Sequence, residues 1–96
     1  MEERNKLILL YDYYGQLLSD QQQKYFEDYY FNNLSLGEIA DEEMVSRNAI
    51  HKQVKSATEK LEFYEEKLKL IEKEKKILNE IKDENLKERI TKIIES

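Results

Sequence analysis

Cysteine is absent from the chain. That removes disulfides, thiolate zinc sites and cysteine nucleophiles in one step and is compatible with a reducing cytosol. Proline is absent as well, and glycine occurs only at Gly15 and Gly37, so interior helix breakers are nearly missing and tight hairpin turns have few places to form. Helices are the default expectation. Long apolar runs are also lacking. The stretch from Leu7 to Tyr11 is five residues long, too short and too acidic in its flank for a signal peptide, and far below the roughly eighteen residues of a membrane span. These absences predict a soluble cytoplasmic protein with no membrane insertion. A chain of 96 residues suits one domain, or one small domain plus an appendage. A core of that size is only modestly stable alone, and a partner subunit would help it.

What the chain has in quantity is charge, unevenly spread. The net charge is −5. From Met1 to Leu34 there are six acids against three bases, and from Leu61 to Ser96 ten against nine. Between Ser46 and Ala57 stand three bases (Arg47, Lys52, Lys55), one histidine (His51) and no acid. A locally basic segment of an acidic protein can meet phosphate, but against a repulsive background field, so strong non-specific DNA binding is not expected. Carboxylates are plentiful, yet none of their clusters has a nucleophile, a phosphate loop or metal-ligand spacing beside it. No enzymatic activity, cofactor or metal is expected.

Leu7, Leu10, Tyr11, Tyr14, Leu17 and Leu18 recur at three- and four-residue spacing, which predicts an amphipathic helix from Glu3 to Leu18. Gly15 inside it either is tolerated or allows a neighbouring helix to come close. Ser19 fits an N-cap, with Gln22 completing a capping box. A second helix should run from Asp20 to about Phe31, with Phe26, Tyr29 and Tyr30 inward, and end at Asn32 and Asn33, because asparagine tolerates the left-handed conformation. The aromatic density here could make a stacking platform for single-stranded bases. Acids such as Glu27 and Asp28 among the rings favour a core with tyrosine hydroxyls at its rim instead.

The segment from Ser35 to Val54, SLGEIADEEMVSRNAIHKQV, carries the most information. Ser35 and Glu38 form a capping box, so a short helix starts there, buries Leu36, Ile39 and Ala40, and ends near Glu42. After a turn through Glu43, Met44 and Val45, Ser46 caps a second helix with Ala49, Ile50 and Val54 inward. Small Ala40 and Ala49 let the two axes approach while Val45 fills the angle, which is how a helix-turn-helix is built. Arg47, Asn48, His51, Lys52 and Lys55 remain on the outer face near the amino end, the end that enters the major groove in this motif.

The stretch LSDQQQKYFEDYYFNNLSLGEIADEEMVSRNAIHKQVKSATEKLE resembles region 4 of bacterial sigma factors. Together with the LLYDYYGQLLSDQQ opening, the VSRNAI turn and the KLEFYEEKL continuation, it resembles more closely the YlxM family of small bacterial proteins, over roughly Lys6 to Lys69. The resemblance implies an all-α, sigma region 4-like fold and DNA binding. It also implies a role in the signal recognition particle pathway, through its GTPase or its RNA. Carried over position by position, Arg47, Asn48, His51, Lys52 and Lys55 become the nucleic-acid contacts. Arginine suits guanine and asparagine adenine, while the lysines suit phosphates; the alternative for each is an ordinary solvated helix face, which weighs evenly for Lys52 and Lys55 and less for Arg47, one residue past the cap. His51 is the only histidine and has no local partners for a metal site or a dyad. Two departures weaken the match. Met44 stands where the turn usually has glycine, and Ser56 where bases are frequent, so a reshaped turn and a thinner phosphate-facing charge are expected.

Past the motif, Ile50, Val54, Ala57, Leu61, Tyr64, Leu68, Ile71 and Leu78 keep the helical rhythm, broken only by Lys75. This predicts one helix from Ser46 to about Lys82, ~55 Å long at ~1.5 Å per residue. Phe63, Leu70, Ile77 and Ile81 form a second apolar row beside it. Asp83, Glu84 and Asn85 offer a turn, with Asn85 and Glu88 as a capping pair for a short last helix that presents Leu86, Ile90, Ile93 and Ile94. The expected organisation is a helix-turn-helix domain over 1–60 and a helical dimerisation extension over 61–96, continuous with the recognition helix. Leaving such a stripe in water forfeits roughly 1.5 to 3 kcal/mol per side chain. A homodimer is therefore expected, pairing through Leu61, Tyr64, Leu68, Ile71, Leu78, Leu86, Ile90 and Ile93; the alternative folds the last helix over the stripe of its own chain. Two uses of the motif stay open: a regulator that reads duplex DNA, and an adaptor for the signal recognition particle machinery that does not read DNA sequence.

Overall fold

Ser19, Ser35 and Ser46 each stand one residue ahead of a helix. Their hydroxyls accept from the backbone N–H groups of Gln22 (3.1 Å), Glu38 (3.1 Å) and Ala49 (3.0 Å), satisfying donors that a helix start otherwise leaves unpaired. A computed structural model describes residues 2–95. Its helices are α1 (Glu2–Tyr14), α2 (Asp20–Tyr30), α3 (Leu36–Glu43), α4 (Arg47–Leu68), α5 (Leu70–Glu80) and α6 (Glu84–Glu95), with a 3-10 turn at Gly15–Leu17. No strand occurs among the described residues, so the fold is all-α. None of the helices among these residues is long and apolar enough to cross a membrane.

Helix α4 is the spine. Its apolar stripe at spacings of four, three and four faces two clusters in turn. Ile50 and Val54 pack with Tyr25, Ile39 and Ala40 from α2 and α3. Ala57 and Leu61 pack with Leu7, Leu10 and Tyr14 from α1, Leu18 and Phe26, and Ile71 from α5 joins them. The half-buried Tyr30 touches both clusters. The core therefore runs across residue 60, where the sequence suggested a boundary.

Several boundaries differ from the sequence expectation, each for a physical reason. Helix α1 stops at Tyr14 rather than Leu18. A Cβ at Gly15 would lie 2.6 Å from Cε2 of Tyr11, so the close approach that glycine permits is by a ring of the preceding helix, which stacks on Phe26 at 4.4 Å. The Ser19 box is only half formed, because the buried Gln22 side chain turns inward to Gln53, Ser56 and Lys60 of α4. Within α2 the inner residues are Tyr25 and Phe26, whereas Tyr29 is exposed. The largest difference is at Lys69, whose left-handed backbone (φ 56°, ψ 31°) ends α4 at Leu68, well short of the expected Lys82. Helix α6 is capped by Asp83, whose Oδ1 accepts from Asn85 (2.9 Å) and Leu86 (3.3 Å), rather than by Asn85 and Glu88. No described residue of α6 is fully buried.

Candidate nucleic-acid interface

The site begins with the turn between α3 and α4. Ser35 and Glu38 complete the expected capping box, with Ser35 N–H donating to Glu38 Oε1 at 3.1 Å. At the other end of α3, Met44 takes φ 57°, ψ 42°. Met44 N–H donates to Asp41 O (3.4 Å) and Val45 N–H to Ala40 O (3.1 Å), the pairing that closes a helix around a left-handed residue. The turn is thus not reshaped by the missing glycine. Methionine adopts the glycine-like conformation itself, and the residue is 91% exposed. Val45, expected to fill the angle between the helices, is instead half in water, and Ile39, Ala40 and Ile50 make that contact. A Lys24–Glu43 ion pair ties α2 to the end of α3; the carboxylate raises the Lys24 pKa above its ordinary value, first by hydrogen bonding and then by charge.

From this turn α4 presents Arg47, Asn48, His51, Lys52 and Lys55, and all five are exposed. Positions 47, 48, 51, 52 and 55 follow helical spacing, so they lie on one face of the first turns of α4. Among the described residues the ion pairs are Lys24–Glu43, Lys76–Glu72 and Lys92–Glu88, and none takes a base of this face. Its cations are free to meet an external anion. Ser56, expected on the phosphate side, is half-buried and accepts from Gln22 Nε2 at 3.4 Å; it works in the core rather than on the surface.

Beside this face lies a cleft of about 210 Å³ between α2, α3 and α4, lined by Tyr29, Tyr30, Leu36, His51, Val54, Lys55 and Thr58. It brings His51 and Lys55 together with the exposed Tyr29, a neighbour that sequence spacing had placed in the core. Helical spacing carried no signal for it: Tyr29 is four residues from Tyr25 and three from Phe26, on the same face of α2. Among the described residues no group of histidine and carboxylate side chains could hold a metal ion.

The sequence profile of the UPF0122 family, described as "Putative helix-turn-helix protein, YlxM / p13 like", matches residues 1–96. The chain belongs to this family. Among UPF0122 relatives, a protein of Caldanaerobacter subterraneus subsp. tengcongensis is 46% identical over 82 residues, covering 85% of this chain and 68% of the relative. One from Malacoplasma penetrans is 48% identical over 85 residues, covering 85% and 79%. A third, from Desulforamulus reducens, is 51% identical over 73 residues, covering 76% and 62%. Helices α3 and α4, joined by the turn at Met44, are the consecutive helix pair of this chain that has a helix-turn-helix arrangement.

The residues expected to pair two chains do not form one surface. Leu61 is 0% and Ile71 9% exposed, both inside the core of the protomer, and Tyr64 packs against the same cluster. These three are already occupied within the chain. Leu68, Leu86 and Ile93 are exposed, and Leu78 and Ile90 half-buried.

Proposed function

We propose that this UPF0122 protein is a DNA-binding regulator that lays the start of α4 in the major groove of duplex DNA and acts as a homodimer. The observation that carries the reading is the acid-free stretch from Ser46 to Ala57, whose Arg47, Asn48, His51, Lys52 and Lys55 all face solvent from the second helix of a helix-turn-helix. Arg47 and Asn48 stand nearest the helix start, where side chains reach base edges, while Lys52 and Lys55 neutralise phosphates. With three bases on each recognition helix, a dimer should lose affinity with log salt at a slope of roughly −5 or shallower. The test is fluorescence anisotropy with the duplex enriched from a random pool. Arg47→Ala should cost about 1 to 3 kcal/mol of that preference. An unchanged affinity, or no duplex preferred over random DNA, would refute the regulator.

A second reading is favoured by the cleft. Tyr29 and His51 line it together with Lys55, side chains of the kinds that stack on and neutralise an unpaired nucleotide of RNA. In that reading the protein is an adaptor that holds a signal recognition particle GTPase or its RNA. Pull-down from cytosol with nucleic acid retained separates the two: recovery of neither GTPase nor RNA would end the adaptor.

A further inference from the structure

Lys69 is where local preference and the fold conflict most. The segment EEKLKLIEKEKKIL from Glu65 to Leu78 has neither glycine nor proline and consists of strong helix formers. A straight helix is its intrinsic choice, yet Lys69 is left-handed, a conformation that residues with a Cβ enter only at a cost. What holds the break comes from far away in the chain. The Tyr14 hydroxyl donates to Glu65 Oε1 at 2.5 Å and accepts from Leu70 N–H at 3.2 Å. The Glu65 carboxylate accepts from Ile71 and Glu72 N–H, both at 3.2 Å. These three N–H groups are the ones a straight helix would bond to its own carbonyls four residues back. These three N–H groups are therefore satisfied in the bent form and in the straight one. The two forms differ in where α5 sits.

In the bent form α5 occupies a defined seat. Ile71 enters the cluster of Leu7, Leu10, Tyr14 and Leu61, and Tyr13 donates to Glu74. On either side of the break, Leu68 and Leu70 are 44% and 46% exposed.

We propose that Lys69 is a hinge through which two copies of this chain exchange α5 and α6. With Lys69 helical, α4 and α5 form one rod and the seat empties. The second copy fills it, with the partner's Ile71 in the core and the partner's Glu74 on Tyr13. The packing of Ile71 and the Tyr13–Glu74 hydrogen bond are then made between protomers, the N–H groups of Leu70, Ile71 and Glu72 turn to their own helix, the left-handed residue is gone, and Leu68 and Leu70 of both rods meet at the crossing. The occupant is a second copy because the seat is shaped by this chain's own α5. The exchange rests on the homodimer of the proposed function and specifies how its helices pair.

Because the chain has no cysteine, the double variant Tyr13→Cys with Glu74→Cys carries the only two thiols. A short bismaleimide joins them, and denaturing electrophoresis reads whether the bridge lies within one chain or between two. Covalent dimers whose share rises with protein concentration are expected. Light scattering on Lys69→Ala and Lys69→Gly provides a second measurement at an exposed position. Glycine favours the bend and alanine the straight rod, so the dimer constant should differ by about fivefold per hinge, roughly 30-fold for two. Dimers carrying only intrachain bridges would overturn the exchange and leave the homodimer standing. Equal dimer constants for the two Lys69 variants would overturn the hinge, whatever the cross-links show. A chain that stays monomeric at every concentration removes both exchange and homodimer, without touching DNA binding by the protomer.

Discussion

The start of α4 and the start of α5 solve the same problem by opposite means. At α4 the unpaired N–H groups are met by Ser46, one residue ahead. At α5 they are met by Glu65 and by Tyr14, the latter separated by 56 positions from the amide it accepts. A cap written next to its helix persists whether or not the rest of the chain has folded. A cap borrowed from another helix exists only while that packing exists. The helix-turn-helix half is therefore built on local instructions, and the α4–α5 junction on tertiary ones.

The comparison can be broken most forcefully through the core. Ile50 and Leu61 are each 0% exposed in different clusters, and alanine at either should cost about 2 to 5 kcal/mol. If α4 joins both halves, each variant should shift a single urea transition followed by circular dichroism. A second transition in one variant would mean that the halves are independent.

Next in size is alkaline pH. The Tyr14 phenol is pushed up to about 12, first by burial and then by its hydrogen bond to Glu65; Tyr11 and Tyr13 are raised too, chiefly by burial and then by Glu27 and Glu74. A folded pKa above the unfolded one means that the neutral phenol is favoured by folding. Its contribution is complete below about pH 10 and is lost as pH climbs toward 12, on the order of 2 to 3 kcal/mol for Tyr14. Urea midpoints compared across that window should fall, and Tyr14→Phe should lessen the fall. The Ser46 cap on the local side carries less: Ser46→Ala should cost about 1 kcal/mol by the same assay. Smallest is Met44→Gly, expected to gain about 0.5 to 1 kcal/mol, because glycine enters the left-handed region freely. A loss there would show that the exposed methionine has a contact worth more than its strain.

What could be read from the sequence follows the same division. Ser19, Ser35 and Ser46 announce their helices, Asn33 with its positive φ closes the segment after α2, and the 50-54-57-61 stripe gives the buried face of α4. The exposed face from Arg47 to Lys55 follows from that stripe by exclusion. The break at Lys69 was not legible, because lysine between two leucines carries no stop signal and the cause lies in Tyr14. For the same reason Leu61 and Ile71 looked free for a partner: periodicity shows that a side chain is apolar, not which neighbour covers it. Gly15 was recognisable as a close-approach position, but the ring that approaches belongs to Tyr11.

The uneven burial along the chain also sets an order of opening. Helix α4 shares its stripe between both clusters, so its central amides exchange with solvent only when the whole molecule unfolds. Helix α6 has no fully buried described residue and can detach at little cost. Deuterium should reach α6 first, α5 once Tyr14 lets go of Glu65, and the middle of α4 last. On that order α6 should be released and recaptured many times for each opening of α4, which hydrogen exchange would record as the fastest and the slowest amides of the described helices.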